Sequence, residues 1–434
     1  MAILGTFLRG DWLHAARIRA GTRILLGASL AILIFMILGT HGLIVPMDKA
    51  TTTDFVSFYA AGKLALQGTP ALAYDQAAHY ALEQAITAPG IGYQYFFYPP
   101  VYLLLCAPLA LLPYLVSFVL FQSITLAFFL WVLRAIMGGV GRGWLVAALA
   151  FPPVFWVLGL GQNSFLTAGL MGLGMLLLPG RPFLAGLALG AMCYKPHFGL
   201  LLPVVLLVGR QWWAIAGAAG AVLGLVGLSV ALFGVETWWA YLAAAQASRA
   251  VYESGSIDFI GMITPFGGAL LVGFSAPVAH AVQIAAMAGT VLVVGWVWRS
   301  GASLAVRAAA VAAGSVLAVH LALIYDALLL LLAMAWLVRA GVERGTRRGE
   351  KFIFFCAYAV LVLISKWLIL RGAGGAPAIP LAPLVSAALL ALGVLRARWE
   401  KQWGEKQWGE KQWGENSGGK SSGRTNDRGL AAAR

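Results

Sequence analysis

From residue 23 to residue 396 the sequence returns again and again to apolar runs of about 18 residues or more, each long enough to cross a bilayer as a helix. In hydrocarbon every backbone N–H and C=O must be satisfied within the protein, which leaves helices and closed barrels. The alternating pattern of barrel strands is absent. The expected fold class is therefore an all-α polytopic membrane protein. Composition agrees: 11% of the residues are charged, where a soluble domain carries roughly a quarter.

The runs divide the chain into a basic N-terminal arm (1–22), a membrane domain (23–396) and a polar tail (397–434). Counting runs gives about twelve spans, with outer loops at about 46–98 and 234–276 and both ends cytoplasmic. The first run, RILLGASLAILIFMILGTHGLIV, is too long for a secretory signal and lacks a clear cleavage site, so it reads as a retained anchor. The formal net charge of +14 sits in the arm, in RAGVERGTRRGEK and in the tail. Charge beside spans is the positive-inside signal, which argues against nucleic acid as a partner. Three arginines conflict with this scheme: Arg134, Arg142 and Arg181 fall on the outer side. Pro152, Pro153, Pro196 and Pro203 are the residues that would break spans and move them. The tail repeats EKQWG and then becomes Gly/Ser/Arg-rich, a composition expected to stay unstructured. The cysteines, Cys106, Cys193 and Cys356, lie far apart in apolar segments, and no spacing suggests a disulfide framework, a metal site or a cofactor.

Within the first outer loop, TTTDFVSFYAAGKLALQG and YDQAAHYALEQAI read as two short amphipathic helices lying in the interface plane. Asp54 opens the first of them. An aspartate before such a run is a favoured cap, worth about 1 kcal/mol, but Thr51, Thr52 and Thr53 already offer capping hydroxyls. A working carboxylate at the membrane boundary is the competing reading. YQYFFYPPVYLLLCAPLALLP follows, its aromatics serving either as an interface belt or as the lining of a groove for sugar or lipid. Gln162 and Asn163 lie between two spans in LGLGQNSFLTAGL, where a turn is the plain reading. Lys195 and His197 interrupt an apolar run in CYKPHFGLLLP. His320 and Asp326 stand at the start of a span in VHLALIYDALLLLL, readable as a functional pair or as a polar contact between helices. Ionisable groups at membrane depth are costly and usually face a cavity or a partner.

Taken in order, DFVSFYAAGKLALQGTPALAYD, YPPVYLLLCAPLALLP, GQNSFLTAGL, YKPHFGLLLPVVLL and HLALIYDALLLL resemble glycosyltransferase family 87, a bacterial polyprenol-phosphate-dependent group of the GT-C superfamily. The resemblance implies an enzyme of the bacterial inner membrane that takes a hexose, with mannose expected, from a polyprenyl-phosphate donor on the periplasmic, outer face. The acceptor would be a glycolipid or glycan. It also implies that the aspartate matched by Asp54 is the catalytic base. Lys63 and Tyr74 keep the usual flavour of the first motif, whereas the pentapeptide tail has no known counterpart in the family.

The chemistry gives the other polar residues roles. A base removes the acceptor's proton as its oxygen attacks the anomeric carbon, and one carboxylate assisting direct displacement inverts that carbon. The departing phosphate needs cations and donors, for which Lys195 and His320 are the candidates, with His197 behind them. Asp326, Tyr98, Gln162, Asn163 and Lys63 complete the expected substrate-binding set. The competing functions are a flippase or transporter of lipid-linked sugars and a non-catalytic assembly partner. Transporters often carry internal repeats, and none is found.

Overall fold

The computed structural model describes residues 10–39, 44–45, 49–50, 53–141, 143–253, 259–369 and 379–418. Apart from a two-residue antiparallel pair, Ile44–Val45 (β1) with Lys49–Ala50 (β2), the described residues form helices and their connections. Thr51, Thr52, Arg142 and the end of the tail, 419–434, lie outside them.

The path is set by what each helix touches at its ends. Helix α1 (Ala15–Leu38) starts where Gly10 packs on Lys351 and Phe352, and its Leu33 reaches Gly159. Helices α2 (Thr53–Leu66), α3 (Gln76–Ile86) and α4 (Leu103–Leu109) cluster at the end that holds Asp54. Helix α5 (Tyr114–Met137) begins there, with Tyr114 and Phe118 on the ring of Phe55, and ends where Arg339 Nη1 donates to the Ile136 carbonyl at 2.9 Å. Helices α6 (Gly143–Leu149) and α7 (Pro152–Leu160), bent by 55°, return to the Asp54 end. Helix α8 (Ser164–Leu177) leaves it again for a cavity beside Arg339 and Glu343.

Helix α9 (Pro182–Gly190) comes back to Lys195, and α10 (Leu201–Val208) departs to Gly209, which packs on Trp298. Helix α11 (Trp212–Phe233) returns; α12 (Val235–Glu253) and α13 (Pro265–Leu271) stay at the Asp54 end. Five passes follow in alternation: α14 (Ala276–Arg299), α15 (Leu304–Ala318), α16 (Leu328–Arg344), α17 (Glu350–Ile369) and α18 (Leu381–Gly418). Helices α15 and α16 form the buried centre of the bundle, and a second, aromatic cluster lies around Phe55.

Traced this way, the chain runs between its two ends about as often as the apolar runs suggest, but by different segments. The run at 99–112 does not cross. Its helical part is short: a 3₁₀ turn, Pro100–Tyr102, running into the seven-residue α4, which contains Pro108 and spans about 10 Å. The run at 183–208 goes to the Asp54 end and back, because Lys195-Pro196 breaks it there. These differences cancel in number but reverse every direction between them. Arg134 and Arg181 consequently lie at the end away from Asp54, alongside Arg339 and Arg344, which removes the conflict with the positive-inside pattern for those two. Among the described residues, six helices taken singly are long and apolar enough to cross a membrane, or seven if the bent α6–α7 pair counts as one.

At that far end the helix α18 continues past residue 397, where the unstructured tail was expected to start, as far as Gly418. Its beginning is tied down: Arg396 meets Glu350 through two bonds of 2.6 Å, and Glu400 accepts from Ser303 N (2.7 Å) and Oγ (3.0 Å) and pairs with Arg344 (3.0 Å). Glu, Lys and Gln in the repeats are good helix formers, which lets the helix run on.

Candidate active site

Asp54 stands in the first turn of α2, where the unpaired N–H groups and the helix dipole favour a carboxylate. Its side chain also reaches across the fold: Gln162 Nε2 donates to Asp54 Oδ2 at 2.6 Å. Gln162 comes within reach because α7 ends in the left-handed Gly161 (φ 70°). A Cβ on that glycine would lie 2.6 Å from the Cβ of Phe55, so only glycine lets the two segments approach this closely.

The Gln162 amide has a single workable orientation. Its Oε1 accepts from Asn163 N at 3.3 Å and from the Tyr98 hydroxyl at 3.4 Å, and its backbone oxygen accepts from Gln122 Nε2 at 3.0 Å. Turning the amide over would face Oε1 to the carboxylate and Nε2 to an N–H donor. Asn163 is fully buried, its side chain beside the Tyr98 and Tyr102 hydroxyls.

The second part of the site is a buried ion pair. Lys195 sits in the break between two 3₁₀ turns, and its Nζ donates to Asp326 Oδ1 at 2.9 Å. Ser164 Oγ donates to the same oxygen at 2.9 Å, and Leu323 N to Oδ2 at 3.2 Å. The ammonium also lies 5.9 Å from the centre of the Tyr98 ring. Tyr98 therefore touches both parts, through its hydroxyl and through its face.

The sequence had suggested pairing Asp326 with His320, and the structure pairs it with Lys195 instead. After α15 the chain becomes extended at Val319, and Ile263 N bonds to Ala322 O at 2.9 Å. This turn of the backbone gives His320 other company: its ring lies 4.1 Å from Phe266 and 4.6 Å from His280, which in turn meets Glu253 at 2.6 Å. His197 is exposed, with its ring on Phe198. Lys63 covers the ring of Tyr59 near the other end of α2 from Asp54. The structure thus gathers Asp54, Gln162, Asn163, Tyr98, Lys195 and Asp326, and sets His320, His197 and Lys63 apart from their hydrogen bonds.

Ser164 and Gln122 were missed by sequence reasoning. Ser164 directly follows Gln162-Asn163 and was legible as part of that motif; Gln122 is one polar residue in a long apolar helix. Glu253, His280, His79 and Glu83 were also passed over. His79 and Glu83 are the ones with a visible signal, two ionisable residues at i and i+4 on the inward face of α3. Among the described residues no group of three or more His, Cys, Asp or Glu is placed to hold a metal.

No curated protein and no solved structure matches the chain. Comparison with protein families matches residues 96–325, more than half of the length, and this stretch holds Tyr98, Gln162, Asn163, Lys195 and His320. Asp54 lies before it and Asp326 one residue after it. On that match, the chain belongs to glycosyltransferase family 87.

Proposed function

We propose that this membrane glycosyltransferase moves a hexose, mannose by expectation, from a polyprenyl-phosphate donor to a glycolipid or glycan acceptor, with Asp54 as the general base. The observation that carries the reading is the 2.6 Å bond from Gln162 to Asp54. It joins the acid of the first loop to a turn inside the family-matched stretch.

An acceptor hydroxyl placed against the Asp54 carboxylate loses its proton to it while its oxygen attacks the anomeric carbon. The bond from that carbon to the phosphate oxygen breaks on the opposite face, so the configuration inverts. Negative charge grows on the leaving phosphate, and fixed donors and cations stabilise it most where water is excluded. Lys195 is the candidate for this role: an ammonium has three N–H donors, and Asp326 takes one. Asp326 and Ser164 hold it in place. His320 is proposed as a further phosphate donor from the neighbouring Phe266–His280 cluster. The arginines Arg134, Arg181, Arg339 and Arg344 at the far end support, by the positive-inside tendency, the reading that Asp54 faces the outer, periplasmic side of a bacterial inner membrane.

The test is transfer by the purified chain in lipid nanodiscs, supplied with polyprenyl-phosphate mannose and candidate glycolipid acceptors and read by mass spectrometry. Asp54→Asn keeps size and most of the capping capacity but accepts no proton. Turnover is expected to fall at least roughly a hundredfold with folded protein recovered. Near wild-type turnover in that variant would reduce Asp54 to a helix cap.

A further inference from the structure

His79 and Glu83 are ionisable residues in a short helix outside the candidate spans, yet both are fully buried. They lie one turn apart on the face of α3 that packs on α2. His79 Nε2 is 3.0 Å from the Ser57 carbonyl, and Ser57 is one turn beyond Asp54 on α2. Glu83 Oε2 accepts from Gln94 N at 3.0 Å, which fastens the returning segment to α3. The remaining two atoms, His79 Nδ1 and Glu83 Oε1, face each other at 3.6 Å, just beyond hydrogen-bond length, and neither has another hydrogen-bond partner.

The protons follow from the partners. A carbonyl only accepts, so Nε2 carries hydrogen. In a neutral imidazole that leaves a lone pair on Nδ1. Burial holds the ring neutral, pushing its pKa down to about 4. Burial, with the nearby Asp54 carboxylate adding to it against the bond from Gln94 N, pushes the Glu83 carboxyl up to about 8. At neutral pH the facing atoms are therefore a carboxylic acid and a lone pair, with one proton between them. The titratable groups packed around the pair are Asp54 on α2 and Tyr93 in the returning segment. Burial keeps the Tyr93 hydroxyl well above its usual range, Glu83, Tyr95 and Asp75 adding to the effect, so it stays neutral throughout.

We propose that His79 and Glu83 are positioning residues: through His79 on the Ser57 carbonyl and Glu83 on Gln94 N, and with one proton held by the buried pair, they clamp α3 and the 91–96 segment onto the first turns of α2 and fix the direction of Asp54. The catalytic consequence rests on the reading of Asp54 as the base, whereas the clamp itself does not. Its pH dependence follows from proton counts. Between about pH 4.5 and 6.5 the docked pair holds one proton on Glu83, and the undocked pair also holds one, on His79, so docking is independent of pH. Above about 6.5 the undocked pair has lost its proton while the docked pair keeps one until about pH 8; docking weakens across that window. Below about 4.5 the undocked pair binds two protons, and docking weakens again.

The experiment uses the full chain in nanodiscs and two readouts. Hydrogen exchange of the α2 amides, corrected for the intrinsic effect of pH, is expected to be at least about tenfold faster at pH 9 than at pH 6 in the wild type. Glu83→Gln supplies a permanent N–H to Nδ1 and an oxygen to Gln94, so only His79 still titrates and exchange should reverse its trend, about fourfold slower at pH 9 than at pH 6. Glu83→Ala should exchange fast at both. In the transfer assay Glu83→Ala is expected to lower kcat about tenfold or more with the KM for the carrier little changed, and Glu83→Gln to restore it while removing the fall above pH 7. Equal α2 protection at pH 6 and pH 9 in the wild type, or a Glu83→Gln profile that follows the wild type, overturns the clamp. Failure of Asp54→Asn to lose turnover overturns the base instead and leaves the exchange result standing.

Discussion

Gln162 and Lys195 show what single residues do in this site and how differently they fail. Gln162 donates to a carboxylate, a bond type worth about 1.5–3 kcal/mol. Gln162→Leu keeps the volume and loses both Asp54 and Tyr98, so kcat is expected to fall roughly ten- to a hundredfold with unfolding temperature little changed, as steady-state kinetics beside a thermal melt will show. Lys195 belongs to a buried ion pair, where removing one partner strands the other charge at a cost of about 3–5 kcal/mol. Lys195→Met alone should therefore give poorly folded protein, and Lys195→Met with Asp326→Leu should recover a monodisperse, inactive one by size exclusion. Well-folded Lys195→Met protein would mean that Asp326 is stabilised by Ser164 and the Leu323 amide without Lys195. The polar residues of the site were legible because each interrupts apolar sequence. Their partnerships were not: Lys195 and Asp326 are 131 residues apart, and no local pattern carries that information.

At the scale of elements, the two short helices expected between the first run and Tyr98 are present, but their surroundings were not foreseen. An amphipathic period marks a face without saying what covers it. Here α2 is covered by α4, α3 and the aromatic cluster, and the inward face of α3 carries two ionisable side chains, His79 and Glu83, among its apolar ones. The tightest contact is at Gly62, where a Cβ would lie 2.1 Å from the Cys106 carbonyl oxygen and 2.9 Å from the Ala110 Cβ. Backbone cannot yield as a side-chain tip does, so Gly62→Ala is expected to cost about 1–3 kcal/mol and to lower the unfolding temperature measured in detergent. Gly139→Ala, with open space around the added methyl, is the neutral control. Equal melting of the two variants would show that α2 and α4 part easily.

For the whole molecule, the sequence carried the fold class and the family, because hydropathy and motif order are written residue by residue. It did not carry direction. A run of apolar residues looks the same whether it crosses once, stays at one end as at 99–112, or turns back midway as at Lys195-Pro196. The ends of the chain give a further test. Deleting 401–434 spares Glu400 and its bonds to Ser303 and Arg344, so turnover should stay within about twofold, as expected for a polar terminal extension. Deleting from 397 removes that anchor and should lower the yield of folded protein; an equal yield from both truncations would make the anchor dispensable. The separation of Lys195 from Asp326 also has a consequence for biogenesis. At about 5–20 residues per second, the ribosome takes roughly 7–26 s to make the 131 residues between them. Throughout that interval the lysine is in the membrane without its carboxylate. Its position in a helix break at the Asp54 end, rather than midway along a pass, lets the long side chain extend to the water at the bilayer surface until the acid that will hold it has been synthesised.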